Sequence, residues 1–201
     1  MSTPSPSAPQ PPRVRLCIGV TGHREDNAAF TANRAAIKAQ LVHILDVIET
    51  TVAEEKSLPG GTAATRLHCL LADGADQMAA TLALGRDWEL VVPLPFGRAL
   101  NAAINAHAQS VEDATVLLTG DTGELVKCST EVCERATRIL ALASQSRLFE
   151  MADRDDFIAK LLLDKLAHPD DARKAAAFAA ESSLKIFSTS FRSFILNAMS
   201  S

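Results

Sequence analysis

The sequence is short of several things, and each shortage removes a class of function. Four cysteines in 201 residues are too few for a disulfide scaffold, and none of them falls in the short Cys-x-x-Cys spacing of metal or redox pairs. Cys17 and Cys69 fall inside apolar runs that read as buried strands, where a thiol behaves as a small hydrophobe. Cys128 and Cys133 fall on a helical stretch and point in different directions. No apolar run approaches the roughly 20 residues that span a bilayer, and the N-terminus shows no signal-peptide core. The expectation is a cytoplasmic protein with no membrane contact. Basic charge is also missing as a cluster: Lys and Arg total 20 against 24 Asp and Glu, a formal charge of −4, and the basic residues are scattered. Duplex nucleic acid is therefore not the expected partner.

Familiar catalytic motifs are absent as well. There is no Gly-Lys-Ser/Thr ending of a phosphate loop, and Gly19-Val20-Thr21-Gly22 lacks the third glycine of the dinucleotide fingerprint. Neither a Gly-x-Ser-x-Gly elbow nor a His-Glu-x-x-His helix occurs. Generic hydrolase chemistry and a resident metal site have no support in the spacing.

What is present is a repeated alternation. Residues 1–13 carry Pro4, Pro6, Pro9, Pro11 and Pro12 among serines and read as a disordered tail. Leu16 to Val20 reads as a buried strand ending in a glycine turn, Gly22-His23-Arg24. Ile37, Leu41, Ile44, Leu45, Ile48 and Val52 then mark one helical face, with Thr31 as the expected N-cap and Pro59-Gly60-Gly61 as the stop. His43, on this helix, reads as structural, as does His68 within the next strand. That second strand, Leu67–Leu71, leads through Asp73-Gly74-Ala75-Asp76-Gln77 into a short helix with Met78, Ala79, Leu82 and Ala83 inside and Gly85 as its C′ residue. A third strand, Glu89–Val92, ends at Pro93-Leu94-Pro95, where proline forbids further pairing. A helix through Leu100 and Ile104 and a fourth strand at Thr115–Leu118 extend the pattern. Helices near 124–143, 154–167 and 170–187 follow, with Pro169 in the first turn of the last and residues 188–201 as a tail without period. The fold expected is α/β, a Rossmann-like three-layer αβα sandwich with a mainly parallel sheet and a helical C-terminal region, in one domain over 14–187 with its core in 14–120.

Turns after the carboxyl ends of parallel strands form the binding edge of such folds. The turns at 22 and 74 follow neighbouring strands, so they are the candidate site. A helix N-terminus behind the second favours an anion, and Arg24 adds a guanidinium fork suited to phosphate. His23 is exposed enough for stacking or proton transfer, whereas His107 and His168 show no partner pattern. Glu25, Asp26, Asp73 and Asp76 work against a bare phosphate unless they face ribose hydroxyls, solvent or a metal ion, for which Mg²⁺ is the natural choice. Asp76 reads equally as a helix cap and as a ligand contact.

Three blocks carry a resemblance: Val20-Thr21-Gly22-His23-Arg24, then Ala72-Asp73-Gly74-Ala75-Asp76-Gln77-Met78, then Val91-Val92-Pro93-Leu94-Pro95-Phe96. In this order they resemble a bacterial branch of the SLOG superfamily, the Rossmann-like group that includes DprA and the LOG phosphoribohydrolases. The resemblance covers residues 14–98. It implies a nucleotide or nucleotide-derived ligand, no resident cofactor, and a ligand-sensing role. Gly19, Thr21, Gly22 and Arg24 match the first motif, with His23 beside them, and Gly74, Ala75, Asp76 and Gln77 match the second. It also implies a later strand ending in an acidic, glycine-rich stretch. The sequence to Ser201 has none, so a truncated crevice, or one completed by a partner chain or a homo-oligomer, is expected. Pro59-Gly60-Gly61-Thr62 imitates the LOG catalytic loop but precedes a strand and lacks its third glycine and glutamate. Enzymatic N-glycosidic or phosphoribosyl chemistry is thus one alternative, and a structural protein without ligand another.

Overall fold

The computed structural model describes residues 13–55 and 62–199; the proline-rich tail to Pro12 and the expected stop at Pro59-Gly60-Gly61 lie outside them. Four short strands, β1 (Cys17–Gly19), β2 (Arg66–His68), β3 (Glu89–Leu94) and β4 (Arg147–Glu150), form one all-parallel sheet in the order β1-β2-β3-β4. Between them run α1 (Ala28–Glu54), α2 (Ala75–Leu84), α3 (Arg98–Asn105), α4 (Val111–Leu118), a 3₁₀ turn (Thr122–Lys127) and α5 (Thr130–Ser144). α6 (Asp155–Ala167) and α7 (Ala172–Met199) form a helical C-terminal region. The architecture is α/β. No helix among the described residues is long and apolar enough to cross a membrane.

Alternation along the strands fixes what the sheet buries. Leu67 of β2, Cys69 just beyond it, and Leu90, Val92 and Leu94 of β3 belong to one core with Leu45 of α1, Ala79, Ala80 and Ala83 of α2, and Leu142 and Ala143 of α5. Each large apolar side chain buried there contributes ~1.5–3 kcal/mol. The intervening residues Arg66 and Glu89 are joined by an ion pair that Arg15 shares. A second cluster packs Phe96 and Leu100 against Val132, Ala136 and Ile139 of α5 and Ile158 and Leu162 of α6. α5 therefore belongs to both cores, and α3 lies in the second.

Several expectations need correction. Thr115–Leu118 is helical, the end of α4, because Ser110 caps it: its Oγ accepts from the Asp113 N–H at 3.0 Å, while Asp113 Oδ2 accepts from Gln109 N–H at 3.3 Å. Reciprocal capping of this kind outweighs the β-branched pair Thr115-Val116. The fourth strand is instead Arg147–Glu150, an exposed edge strand. β3 continues through Pro93 to Leu94. Val91 accepts from Cys69 N–H on the β2 side and Leu94 from Met151 N–H on the β4 side, so Pro93 turns its missing donor toward β2, whose ladder has already ended.

At the other edge, β1 leaves Cys17 exposed rather than buried, since no described strand lies beyond β1 to cover that position. The N-cap of α1 is Asn27, whose Oδ1 accepts from Phe30 N–H at 2.9 Å; Thr31 donates to Glu25 carbonyl instead. Ile44 is exposed on α1, so the expected apolar stripe is narrower, centred on Leu45. Gly85 caps α2 with an ordinary right-handed φ of −67°, and Asp87, at φ 55°, takes the left-handed position. Pro169 precedes α7 rather than opening it, and the aperiodic tail after 187 continues α7 to Met199.

Candidate functional site

The two glycine turns do emerge side by side, and the glycines let them touch. A Cβ on Gly22 would stand 2.5 Å from Ala75 Cβ, and one on Gly74 would stand 2.9 Å from Arg24 Cα. Gly74 has φ 94°, a conformation L side chains rarely adopt. Ala75 N–H, the first of α2, donates to His23 carbonyl at 3.1 Å. One of the helix's free N–H groups is thereby used to join the turns.

Asp73 organises the cluster. Its side chain is only 4% exposed, yet it accepts from Glu25 N–H at 3.1 Å, from the Arg24 guanidinium at 3.3 Å, and pairs with His107 Nε2 at 2.8 Å. Burial alone would raise its pKa. The hydrogen bond and charge of His107, the Glu25 N–H and the Arg24 charge outweigh that and hold the carboxyl below its usual range. Arg24 also donates to Asn105 Oδ1 at 3.1 Å, and Asn105 Nδ2 donates in turn to Asn101 Oδ1 at 3.1 Å. Arg24 and His107 keep about a third of their side chains exposed, 32% and 34%. Each can therefore meet a ligand while tethered from beneath.

Asp76 is not the cap of α2. Gly74 is the N-cap of α2, and the Asp76 carboxylate turns back to accept from Leu70 N–H at 3.0 Å and from the Ala72 amide. It clamps the β2–α2 loop. Burial raises its pKa to about 6 against those two hydrogen bonds. Gln77 also faces the loop, its Nε2 donating to Leu71 carbonyl at 3.4 Å. Thr21, Gly22 and His23 are exposed, and Gly19 borders open space, where an added Cβ would meet no described atom within 4 Å. Three of the four acidic residues are accounted for: Asp73 is paired with Arg24 and His107, Glu25 pairs with Arg34, and Asp76 is buried, whereas Asp26 is exposed.

His107 is the residue the sequence concealed. It follows α3 at φ 55°, and Leu71, on the β2 side of Asp73, has φ 54°. A non-glycine residue in the left-handed region costs about 1–3 kcal/mol, and such positions persist where surrounding structure enforces them. Here the strain at His107 accompanies an imidazole aimed at a buried carboxylate. The pairing joins residues 34 positions apart, and no local spacing announces it.

α3 connects this cluster to the far side of the sheet. Its last residues reach Arg24 and, through His107, Asp73, which follow β1 and β2. Its first reach Glu150 and Asp155, at and beyond the end of β4: Arg98 N–H donates to Glu150 Oε2 at 2.7 Å and Gly97 N–H to Asp155 Oδ2 at 2.6 Å. The helix thus lies across the carboxyl ends of the strands. Among the described residues, no group of His, Cys, Asp and Glu is arranged to hold a metal ion.

Comparison with known proteins returns nothing. No family model, curated protein or solved structure matches the chain.

Proposed function

We propose that the protein binds a nucleotide or nucleotide-derived ligand over the joined turns after β1 and β2, in a Rossmann-like manner, and serves as a ligand sensor. The observation that carries this reading is the union of the turns through His23 carbonyl and Ala75 N–H, beside which Arg24 and His107 share Asp73, with Asp73 and Glu25 already paired. A phosphate there meets the remaining first-turn N–H groups of α2, at Asp76 and Gln77, and the exposed face of the Arg24 guanidinium. Each helix terminus supplies only about 0.3–2 kcal/mol, so convergence of these donors is what gives affinity. The resemblance of the turn motifs to the SLOG superfamily supports the same ligand class.

The test is a thermal-shift panel of nucleotides, cyclic dinucleotides and ADP-ribose derivatives. Ligand at 100 times Kd stabilises by about 2.7 kcal/mol, roughly 5–10 °C for a chain of this size. His23→Ala is the clean probe, because His23 is exposed in the first turn and the turns are joined through its backbone carbonyl, which alanine retains: it should weaken the shift and leave the unliganded Tm unchanged. A panel without any shift removes the proposal.

One observation favours an enzymatic reading. A buried carboxylate orienting a partly exposed imidazole is the arrangement of a general base, and Asp73–His107 has it. Asp76, whose carboxylate is committed to the loop, does not. Release of free base from a nucleotide, abolished in His107→Gln while binding survives, would establish catalysis.

A further inference from the structure

α7 has an inner face and an apolar outer one. Phe178, Ser182 and Thr189 are buried, with Phe178 in the second core beside Ile158 and Leu162 of α6. On the opposite side of the helix, Ala177 and Ala180 are exposed, Leu184 is 60% exposed and Phe187 is 71% exposed. The same spacing runs on in the sequence through Phe191 and Phe194, within a helix that continues to Met199. The segment after 187, without period on its own, falls into step once α7 is one continuous helix. Steps that alternate between three and four residues make the narrow seam of a two-helix coiled coil, rather than the wider stripe of a helix lying on a domain.

The order of sizes along the seam selects its partner. Two alanines come first, then leucine, then three phenylalanines. A second α7 laid parallel sets alanine on alanine at one end and phenylalanine on phenylalanine at the other. Laid antiparallel, about a two-fold axis between Leu184 and Phe187, it sets Ala177 against the partner's Phe194, Ala180 against the partner's Phe191, and Leu184 against the partner's Phe187. Each alanine then meets a phenylalanine, as close packing requires, and the contact is self-complementary. The six phenylalanines of such a pair, at about 150–250 Å² each, cover on the order of 1,200 Å², the size at which specific interfaces begin. Ser183, Ser188 and Ser190 flank the seam, where a helix built to lie on a membrane carries Lys and Arg. Glu181, a charged flank, is paired with Arg154 at 3.1 Å.

We infer that the protein forms a two-fold dimer through α7, paired with a second copy of itself as an antiparallel two-helix coiled coil.

The experiment is sedimentation equilibrium of the full chain from micromolar to submillimolar concentration, where a monomer–dimer equilibrium should appear. Leu184→Glu should raise the dimer Kd about 100-fold or more, because two leucine contacts are lost and two carboxylates enter an apolar layer. Ala180→Phe sets phenylalanine against the partner's Phe191 and should also weaken the dimer. Adding Phe191→Ala exchanges the two sizes within one layer and should bring the Kd back to within about tenfold of the original, a rescue that only the antiparallel register provides. A chain that stays monomeric throughout, whether or not it binds phosphatidylglycerol vesicles, overturns the inference. So does a dimer indifferent to Leu184→Glu, or a double variant no stronger than Ala180→Phe alone. If Leu184→Glu does not fold, the exchange of alanine and phenylalanine still decides it.

Discussion

The two ends of α3 are built from the same parts and arranged oppositely. At its C-terminal end, where the helix dipole is negative, the Arg24 guanidinium lies on Asn105, and Arg24 and His107 both find a partner in Asp73. At its N-terminal end, where the dipole is positive, carboxylates from β4 and α6 sit on the first N–H groups, and Asp155 Oδ1 is buried without a hydrogen-bond partner among the described residues. Both ends obey the dipole. They differ in burial: the network at the first end rests on a carboxylate 4% exposed, while the Arg98–Glu150 pair is 53% and 35% exposed. One end is therefore a buried hub with two partly exposed side chains on it, and the other is a solvated cap.

The sharpest way to break the comparison is Asp73→Ala. Removing the hub strands Arg24, His107 and Glu25 N–H, and breaking a buried charged network costs about 3–5 kcal/mol, read as a Tm roughly 10 °C lower. If Asp73→Ala costs no more than Glu150→Ala, the ends are equivalent and the contrast fails. Next is a pH effect. Because the Asp76 pKa rises to about 6 on folding, its contribution is fully present below its ordinary value near 4 and is lost as pH climbs through about 6. Asp76 should lower stability by about 3 kcal/mol across that interval, and in Asp76→Asn that part of the slope should be lost. Asp73 acts with the opposite sign: its depressed pKa makes its contribution present above the ordinary carboxylate range and lost only in more acid solution. Denaturant titrations at several pH values separate the two.

Gly22→Ala comes third. It forces a Cβ against Ala75 and should cost about 1–3 kcal/mol, whereas Gly19→Ala, in open space, should stay within about 0.5 kcal/mol. Glu150→Ala should cost about 1 kcal/mol, as for loss of a helix cap, which leaves Gly19→Ala the smallest effect of the series. Chemical denaturation measures all three.

How far the residues foretold this arrangement depends on the range of the interaction. β2 and β3 are legible because their apolar runs face one core, and the turns at 22 and 74 are legible because glycine marks them. The reason for those glycines was not: Gly22 is required by the Ala75 Cβ and Gly74 by the backbone of His23 and Arg24, contacts some 50 residues away in sequence. β4 escaped because Arg147-Leu148-Phe149-Glu150 is a short, half-polar edge strand, and Thr115–Leu118 misled because its composition suits a strand while its cap, Ser110 with Asp113, lies upstream. The Asp73–His107 pair could not be read at all, since only the path of α3 across the sheet brings them together.

Pro93 carries one last consequence. By withholding a donor from its neighbour, it lets β2 leave the ladder after His68 while β3 runs on beside β4. The released segment from Leu70 to Asp73 is free to bend sharply and fold inward, where Asp76 fastens it. An imino acid in a middle strand thus marks the point at which the sheet lets go of the chain that carries Asp73 beneath the two joined turns.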